Sequence, residues 1–394
     1  MKRFLTVLLT LAMFVSLSAC GSKENAEPEE ETETTAVETE AEATVSEETE
    51  AETAEAEGTR VVVDVLGREV EIPAKPEKFV NVGVGTLRLY TYVAPIEKLV
   101  GVEQTEVEEQ RGVPYTLVNA EKVKDLPIIG AGGPRDTADP EAILATSPDV
   151  IFDTYSTEVE AADELQEKTG IPVVVLSYGK VELVDEDLHQ SIRLIGDVTG
   201  EQERAEEVIN IINNYLDDIS QRVSDIDPAS SPTIYIGAMG NRGQQGIEST
   251  RGNNIMTNIL KANNVSDEVG EKGGFFIDKE QLLEWDPEYI FVDADGLPLV
   301  REDYQNSPAL YDALTAVQEG KVYSQLPFKL RHTNLETAIA DIYNIGKVIY
   351  PDEFSDVELD AKADEIYESF LGAPLYDRMI EDFAPFGTVD ITQE

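Results

Sequence analysis

Pro140-Glu141-Ala142-Ile143-Leu144-Ala145-Thr146-Ser147-Pro148-Asp149-Val150-Ile151-Phe152-Asp153 is the stretch whose reading decides the fold. Asp139, just before it, suits a helix N-cap, and Pro140 suits the first helical position. Pro148 stops that helix ahead of the apolar run Val150-Ile151-Phe152. A capped helix feeding a short buried strand is the repeating step of a parallel α/β sheet. The step returns in Lys279-Glu280-Gln281-Leu282-Leu283 followed by Asp286-Pro287-Glu288-Tyr289-Ile290-Phe291-Val292-Asp293. Glu141 and Glu280, Leu144 and Leu283, and Pro148 and Pro287 recur at identical spacing. Two related lobes account for the recurrence, and ligand space is expected between them.

Working outward, Val61 to Val65 and Glu69 to Ile72 flank Gly67 as a hairpin, which Pro73 and Pro76 end. Phe79 to Val82 reads as a strand, and Gly83, Gly85 and Thr86 lead into a helix through Leu87, Tyr90 and Val93. Strands are expected at Leu99 to Val102, Ile128-Ile129, Val150 to Phe152 and Val173 to Leu176, with a helix over Glu158 to Lys168. This alternation predicts a doubly wound α/β sheet. Asp185 to Ser224 breaks it with helical periodicity through Leu188, Ile192, Ile195 and Val198, then Thr199-Gly200. Glu201 to Val223 holds neither Gly nor Pro and predicts one helix of about 34 Å. The α/β pattern resumes at Thr233-Ile234-Tyr235-Ile236.

The chain ends set the compartment. Lys2 and Arg3 precede the apolar run Phe4 to Leu17, which has the length of a signal-peptide core and is too short for a membrane span. Leu17-Ser18-Ala19-Cys20 follows, and Cys20 is the one cysteine of the chain, so no intramolecular disulfide or cysteine nucleophile is expected. From Glu24 to Glu57 the sequence is chiefly Glu, Thr and Ala, with fifteen Glu. It has no apolar periodicity and predicts a disordered acidic tether. Without those Glu and without Lys2, Arg3 and Lys23, the remaining body carries a formal charge of −37. That disfavours nucleic acid as a partner, since phosphate contacts need a basic surface. The only histidines are His189 and His332, and no nucleophile elbow, zincin or P-loop motif occurs. An enzyme is not expected, and no covalently bound cofactor.

The chain resembles the substrate-binding lipoproteins of ABC importers for iron–siderophore complexes, haem and cobalamin. The residues that carry the resemblance, over about Arg60 to Phe386, are Asp64-x-x-Gly67-Arg68-x-Val70-x-Ile72-Pro73-x-Lys75-Pro76-Glu77-Lys78, Lys98-Leu99-Val100-Gly101-Val102 and the two Glu-to-Pro units. Gly170-Ile171-Pro172-Val173, the helix after Gly200, Asn263-Asn264-Val265 and Gly320-Lys321-Val322-Tyr323 complete them. Leu17 to Cys20 resembles a lipobox, which implies a signal peptide over 1–19 and lipidation at Cys20, with the tether over 20–58. Such a protein is anchored to the outer face of the cytoplasmic membrane. The resemblance implies two doubly wound α/β lobes, 59–182 and 227–394, joined through a helical connector, 183–226, by one rigid helix, with the ligand cleft between the lobes. Its partners are the importer's permease and ATPase. In the family, one surface Glu on each lobe docks onto permease arginines, and Glu141 and Glu280 match those positions. A first-turn helix Glu also favours the helix dipole, and both roles are compatible.

The pocket is expected where strand ends and loops of the two lobes face each other. From the first lobe the candidates are Thr86, Arg88, Tyr90, Arg135, Tyr155 and Tyr178, and from the second Asn241, Arg242, Arg251, Asp295, Phe328, Arg331 and His332. Guanidinium groups suit anionic oxygens and aromatics suit flat ligands. Arg331 is the strongest single candidate, in a loop expected at the lobe interface, and its removal is expected to weaken ligand binding and leave stability nearly unchanged. The expected ligand is a ferric siderophore or similar anionic metal chelate. The alternatives are haem or a corrinoid with His332 as axial ligand, molybdate or tungstate, and, in a different class, a surface adhesin.

Overall fold

The computed structural model describes residues 58–133, 138–180, 183–240 and 243–393. Cys20, Arg135, Asn241 and Arg242 lie outside them.

The first lobe begins with a hairpin, β1 (Thr59–Val63) and β2 (Glu69–Pro73). Asp64 fixes its turn, because Oδ1 accepts the N–H of Leu66 and of Arg68, each at 3.0 Å. Four parallel strands follow, β3 (Phe79–Val82), β4 (Leu99–Gly101), β5 (Val150–Asp153) and β6 (Val173–Val175), in the order β4-β3-β5-β6. Helices α1 (Thr86–Val93), α2 (Pro114–Val123), α3 (Pro140–Thr146) and α4 (Val159–Thr169) surround the sheet. The strand expected at Ile128-Ile129 is one bridge, Val102 to Ile128.

Then come α5 (Glu186–Thr199) and α6 (Gln202–Arg222), divided by Gly200 at φ 84°. Val208, Ile209, Ile212, Leu216 and Ile219 make the buried stripe of α6 at helical spacing. Full burial of each contributes about 1.5–3 kcal/mol. The helix packs on α5, on α1 of the first lobe and on two helices of the second, α7 (Ile255–Ile259) and Leu335–Ile349. One stiff element is therefore built into both cores.

The second lobe contains β7 (Thr233–Gly237), β8 (Ser249–Gly252), β9 (Asn263–Asn264), β10 (Gly273–Phe276), β11 (Tyr289–Asp293), β12 (Val322–Gln325) and β13 (Gly387–Thr388). Its five-stranded sheet runs β13-β12-β11-β7-β9, with only β13 antiparallel, and β8 and β10 form a separate ribbon. Its remaining helices are α8 (Lys279–Trp285), α9 (Leu297–Asn306), α10 (Pro308–Tyr311), α11 (Thr315–Gln318), α12 (Leu335–Ile349), α13 (Leu359–Leu371) and α14 (Tyr376–Asp382).

The sequence repeat is a structural repeat. Helices α3 and α8 are each seven residues long. Each ends on a left-handed residue, Ser147 at φ 52° and Asp286 at φ 38°, and Pro148 or Pro287 follows. Each then feeds a central buried strand. Asp153 ends one and Asp293 the other, and each carboxylate accepts the N–H two residues on, Tyr155 at 2.6 Å and Asp295 at 3.0 Å.

Candidate functional site

The carboxyl ends of β3, β5 and β6 open onto a cavity of about 610 Å³, the usual position for a ligand in an α/β sheet. Thr154, Tyr155, Ser156 and Thr157 line it after β5, and Ser177, Tyr178 and Lys180 after β6. His332 reaches it from the second lobe. The wall is built at close quarters. Thr86 and Thr154 hydroxyls lie 2.6 Å apart, and Thr86 Oγ1 also donates to the carbonyl of Val82 at 2.7 Å. Tyr178 donates to the carbonyl of Gly85 at 2.8 Å. Gly83 and Gly85 have φ +101° and +81°, and a Cβ on either would strike Thr154 or Tyr178, at 2.4 and 2.7 Å. Both conformation and space therefore require glycine there.

His332 stacks on Tyr178 with centroids 3.9 Å apart. Its Nδ1 accepts the N–H of Thr333 at 3.0 Å, so the neutral ring carries its proton on Nε2. It is the second of two consecutive left-handed residues, Arg331 at φ 53° and His332 at φ 74°. Non-glycine residues in that region store strain and need surroundings that hold them.

Arg88 supplies the hold. It is fully buried on α1, donates across the lobe boundary to the carbonyls of Leu330, Arg331 and Thr333 at 3.0, 2.8 and 3.2 Å, and sits 5.0 Å from the Tyr115 ring centroid. Buried Glu336, bonded to Tyr92, interacts with its charge: burial pushes that carboxyl up and Arg88 pulls it back. Arg331 crosses in the opposite direction. It donates to Thr105 O and Thr105 Oγ1, each at 2.9 Å, and pairs with Glu106 at 2.7 Å, where Tyr115 also donates at 2.7 Å. Arg111 makes a third crossing, to Asp295 at 2.9 Å.

Of the residues expected in the pocket, Tyr155, Tyr178 and His332 line the cavity, and Thr86 braces its wall. The others are placed differently. Tyr90 is a core residue between Phe79 and Phe152, with its hydroxyl on Pro95 O at 3.0 Å. Phe328 is buried in the core as well. Arg88, Arg331 and Asp295 are occupied by contacts between the lobes. Arg251 lies on the β8–β10 ribbon. Arg331 is engaged by Thr105 and Glu106, so the expectation that its removal leaves stability nearly unchanged is corrected. Thr154, Ser156, Thr157, Ser177 and Lys180 were not anticipated, because isolated hydroxyl residues in loops have no distinguishing pattern. Glu103 was missed too. It is buried behind Tyr155, takes the Gly83 N–H at 3.3 Å, and is pushed up to about 7 chiefly by burial.

Glu141 and Glu280 are both exposed in the first turns of α3 and α8, the matched helices of the two lobes. Among the described residues no helix is long and apolar enough to cross a membrane, and no three His, Cys, Asp or Glu converge on a metal position.

Two α/β lobes locked to one shared helix, with a cavity at strand ends and exchanged contacts over the boundary, define a solute-binding class of protein. The chain belongs to the periplasmic binding protein family, which it matches over residues 96–327. It is a solute-binding protein of an ABC transporter. It is 26% identical over 330 residues to the molybdate-binding protein MolA of Haemophilus influenzae, covering 79% of this chain and 90% of that one. The structure of MolA bound to molybdate superposes with a TM-score of 0.62 at 24% identity, over 80% of this chain and 98% of that chain. An ABC transporter substrate-binding lipoprotein of Bacillus subtilis, YvrC, is 20% identical over 74% of this chain and 86% of its own. The fold is also shared with the periplasmic haem-binding protein HutB of Vibrio cholerae, at TM-score 0.51 and 16% identity over 70% of this chain and 99% of that one.

Proposed function

We propose that the solute is a small oxyanion of the molybdate or tungstate type. The orientation of His332 carries this reading. With Nδ1 accepting the Thr333 N–H, the neutral ring carries an N–H at Nε2 and has no open nitrogen lone pair. A haem or corrinoid metal needs the lone pair, whereas an oxyanion needs the donor. The neighbouring hydroxyls of Thr154, Ser156, Thr157 and Ser177 and the ammonium of Lys180 are of the same kind. Likeness to a molybdate-binding protein points the same way. A ferric-siderophore ligand rested on free cationic loops, and Arg88 and Arg331 are already engaged.

The remaining assignments follow the family. Cys20 carries the lipid anchor, and Glu141 and Glu280 dock onto the permease. Calorimetric titration of the mature protein with molybdate, tungstate, sulfate, haemin and a ferric catecholate tests the solute. Saturable binding of molybdate or tungstate, weakened at least tenfold by His332→Ala, is expected. Haemin binding with a histidine-ligated spectrum that His332→Ala abolishes would sink the reading.

A further inference from the structure

The second lobe holds an arrangement of buried oxygens that solute capture does not use. Asp293 and Gln325 end the neighbouring strands β11 and β12 and pair in register, so their side chains share one face of the sheet. Phe291 and Tyr323 lie two residues back on that face, with ring centroids 5.7 Å apart, and pack with α12. From α12, Asp341 Oδ1 accepts the N–H of Leu326 at 2.8 Å, and Asn344 Nδ2 donates to the carbonyl of Ser324 at 2.8 Å. Asp341 and Asn344 are one helical turn apart, so both face the same spot. Four polar side chains thus meet around residues 324–326, and all are at most 1% exposed.

Asp293 is bonded by backbone N–H groups, but three of the other oxygens lack donors. Among the described residues nothing hydrogen-bonds to Asp341 Oδ2, Asn344 Oδ1 or Gln325 Oε1, and Gln325 Nε2 is likewise unpaired. Groups so deeply buried are rarely left unsatisfied. Nor, among the described residues, does a cation pair with Asp293 or Asp341. Glu336, elsewhere on α12, has Arg88 beside it. The charged groups acting on Asp293 and Asp341 are acidic: Asp295 on the first, Asp293 on the second. Asp295 itself is taken by Arg111. Two carboxyls with no cationic partner among the described residues, beside amide oxygens without donors there, form a hard, all-oxygen donor set.

We propose that a single calcium-type cation binds inside the second lobe, held by Asp293 and Asp341 with the amide oxygens of Gln325 and Asn344. Its charge balances the two carboxylates. Calcium tolerates irregular oxygen shells, whereas magnesium keeps its own waters and an octahedron, which a dry interior does not supply. The site ties α12 to the strand ends and is independent of the oxyanion cavity.

The test uses the mature protein, unfolded and refolded once in calcium chloride and once in EDTA, then desalted. One equivalent of calcium per chain is expected in the first sample, with a melting temperature roughly 5 °C above the second. Magnesium at the same concentration should not reproduce the shift. Asp341→Asn, nearly isosteric, should lose both the bound calcium and the response to it. Gln325→Met serves as a second variant should that protein fail to fold. Wild-type protein that carries no calcium and melts alike in calcium and EDTA overturns the proposal and leaves a proton or a water in the site. Calcium retained in full by a folded Asp341→Asn overturns it too, by placing the ion on the acidic surface.

Discussion

Arg88 and Arg331 cross the lobe boundary in opposite directions and bond to different chemistry. Arg88 leaves the first lobe, is wholly dry, and spends its donors on neutral backbone carbonyls of the loop at 330–333. Arg331 leaves that loop, keeps 14% of its side chain exposed, and meets the carboxylate of Glu106. The first contact sets the shape of a strained loop. The second fastens the loop to the wall opposite. A guanidinium at a lobe boundary is thus not by itself a ligand-binding group, since both of these belong to the protein's own assembly.

The difference is broken most severely by removing the dry member. Arg88→Met leaves several carbonyls and the buried Glu336 uncompensated, so urea unfolding should show a loss of about 3–5 kcal/mol. The same variant should weaken oxyanion binding, because His332 is held by the loop that Arg88 secures. Arg331→Ala should cost less, about 2–3 kcal/mol, the scale of charged hydrogen bonds lost from a partly exposed site. That loss should be strongly non-additive with Glu106→Gln in a double-mutant cycle. Additive losses would show that the ion pair contributes little to fastening the lobes.

Glu103 sharpens the comparison through pH. It shares the wall with Glu106, and burial holds it at about 7. Its folded value lies above its ordinary one, so its contribution to stability is complete below about 4.5 and is lost as pH rises through about 7. Melting between pH 5 and 8 should therefore fall less in Glu103→Gln than in wild type, by roughly 3 °C. Equal slopes would remove Glu103 from the pH response. The smallest effect on the isolated protein belongs to Glu141→Lys with Glu280→Lys. These exposed positions should leave melting and oxyanion affinity within error while uptake through the transporter is lost. Unimpaired uptake would end the docking assignment.

Much of the fold was legible because it is written in local pattern. Gln202–Arg222 matches the Gly- and Pro-free run read as one helix, and Pro148 and Pro287 mark the ends of the twin helices. The ribbon of β8 and β10 was not legible: Gly273 and Gly274 obscure any strand pattern in β10. The site was less legible than the fold. The loop from Phe328 to His332 displays an aromatic, two cations and an imidazole, which look available in sequence. Nothing local reveals that Arg331 is claimed by Glu106, 225 positions earlier, or that Phe328 turns into the core. Tyr90 was misread for the same reason. Its place after a strand suggested the cleft, but helical phase directs it between Phe79 and Phe152.

Helix α8 has an optical consequence. Its last residue, Trp285, is the chain's sole tryptophan, and its indole N–H donates to Glu268 at 3.0 Å. The cavity is walled instead by tyrosine and histidine. Intrinsic emission excited at the red edge therefore reports on the helix that bears Glu280. A spectral change on mixing with transporter-bearing vesicles would record engagement of that face, while filling the cavity would leave the signal dark.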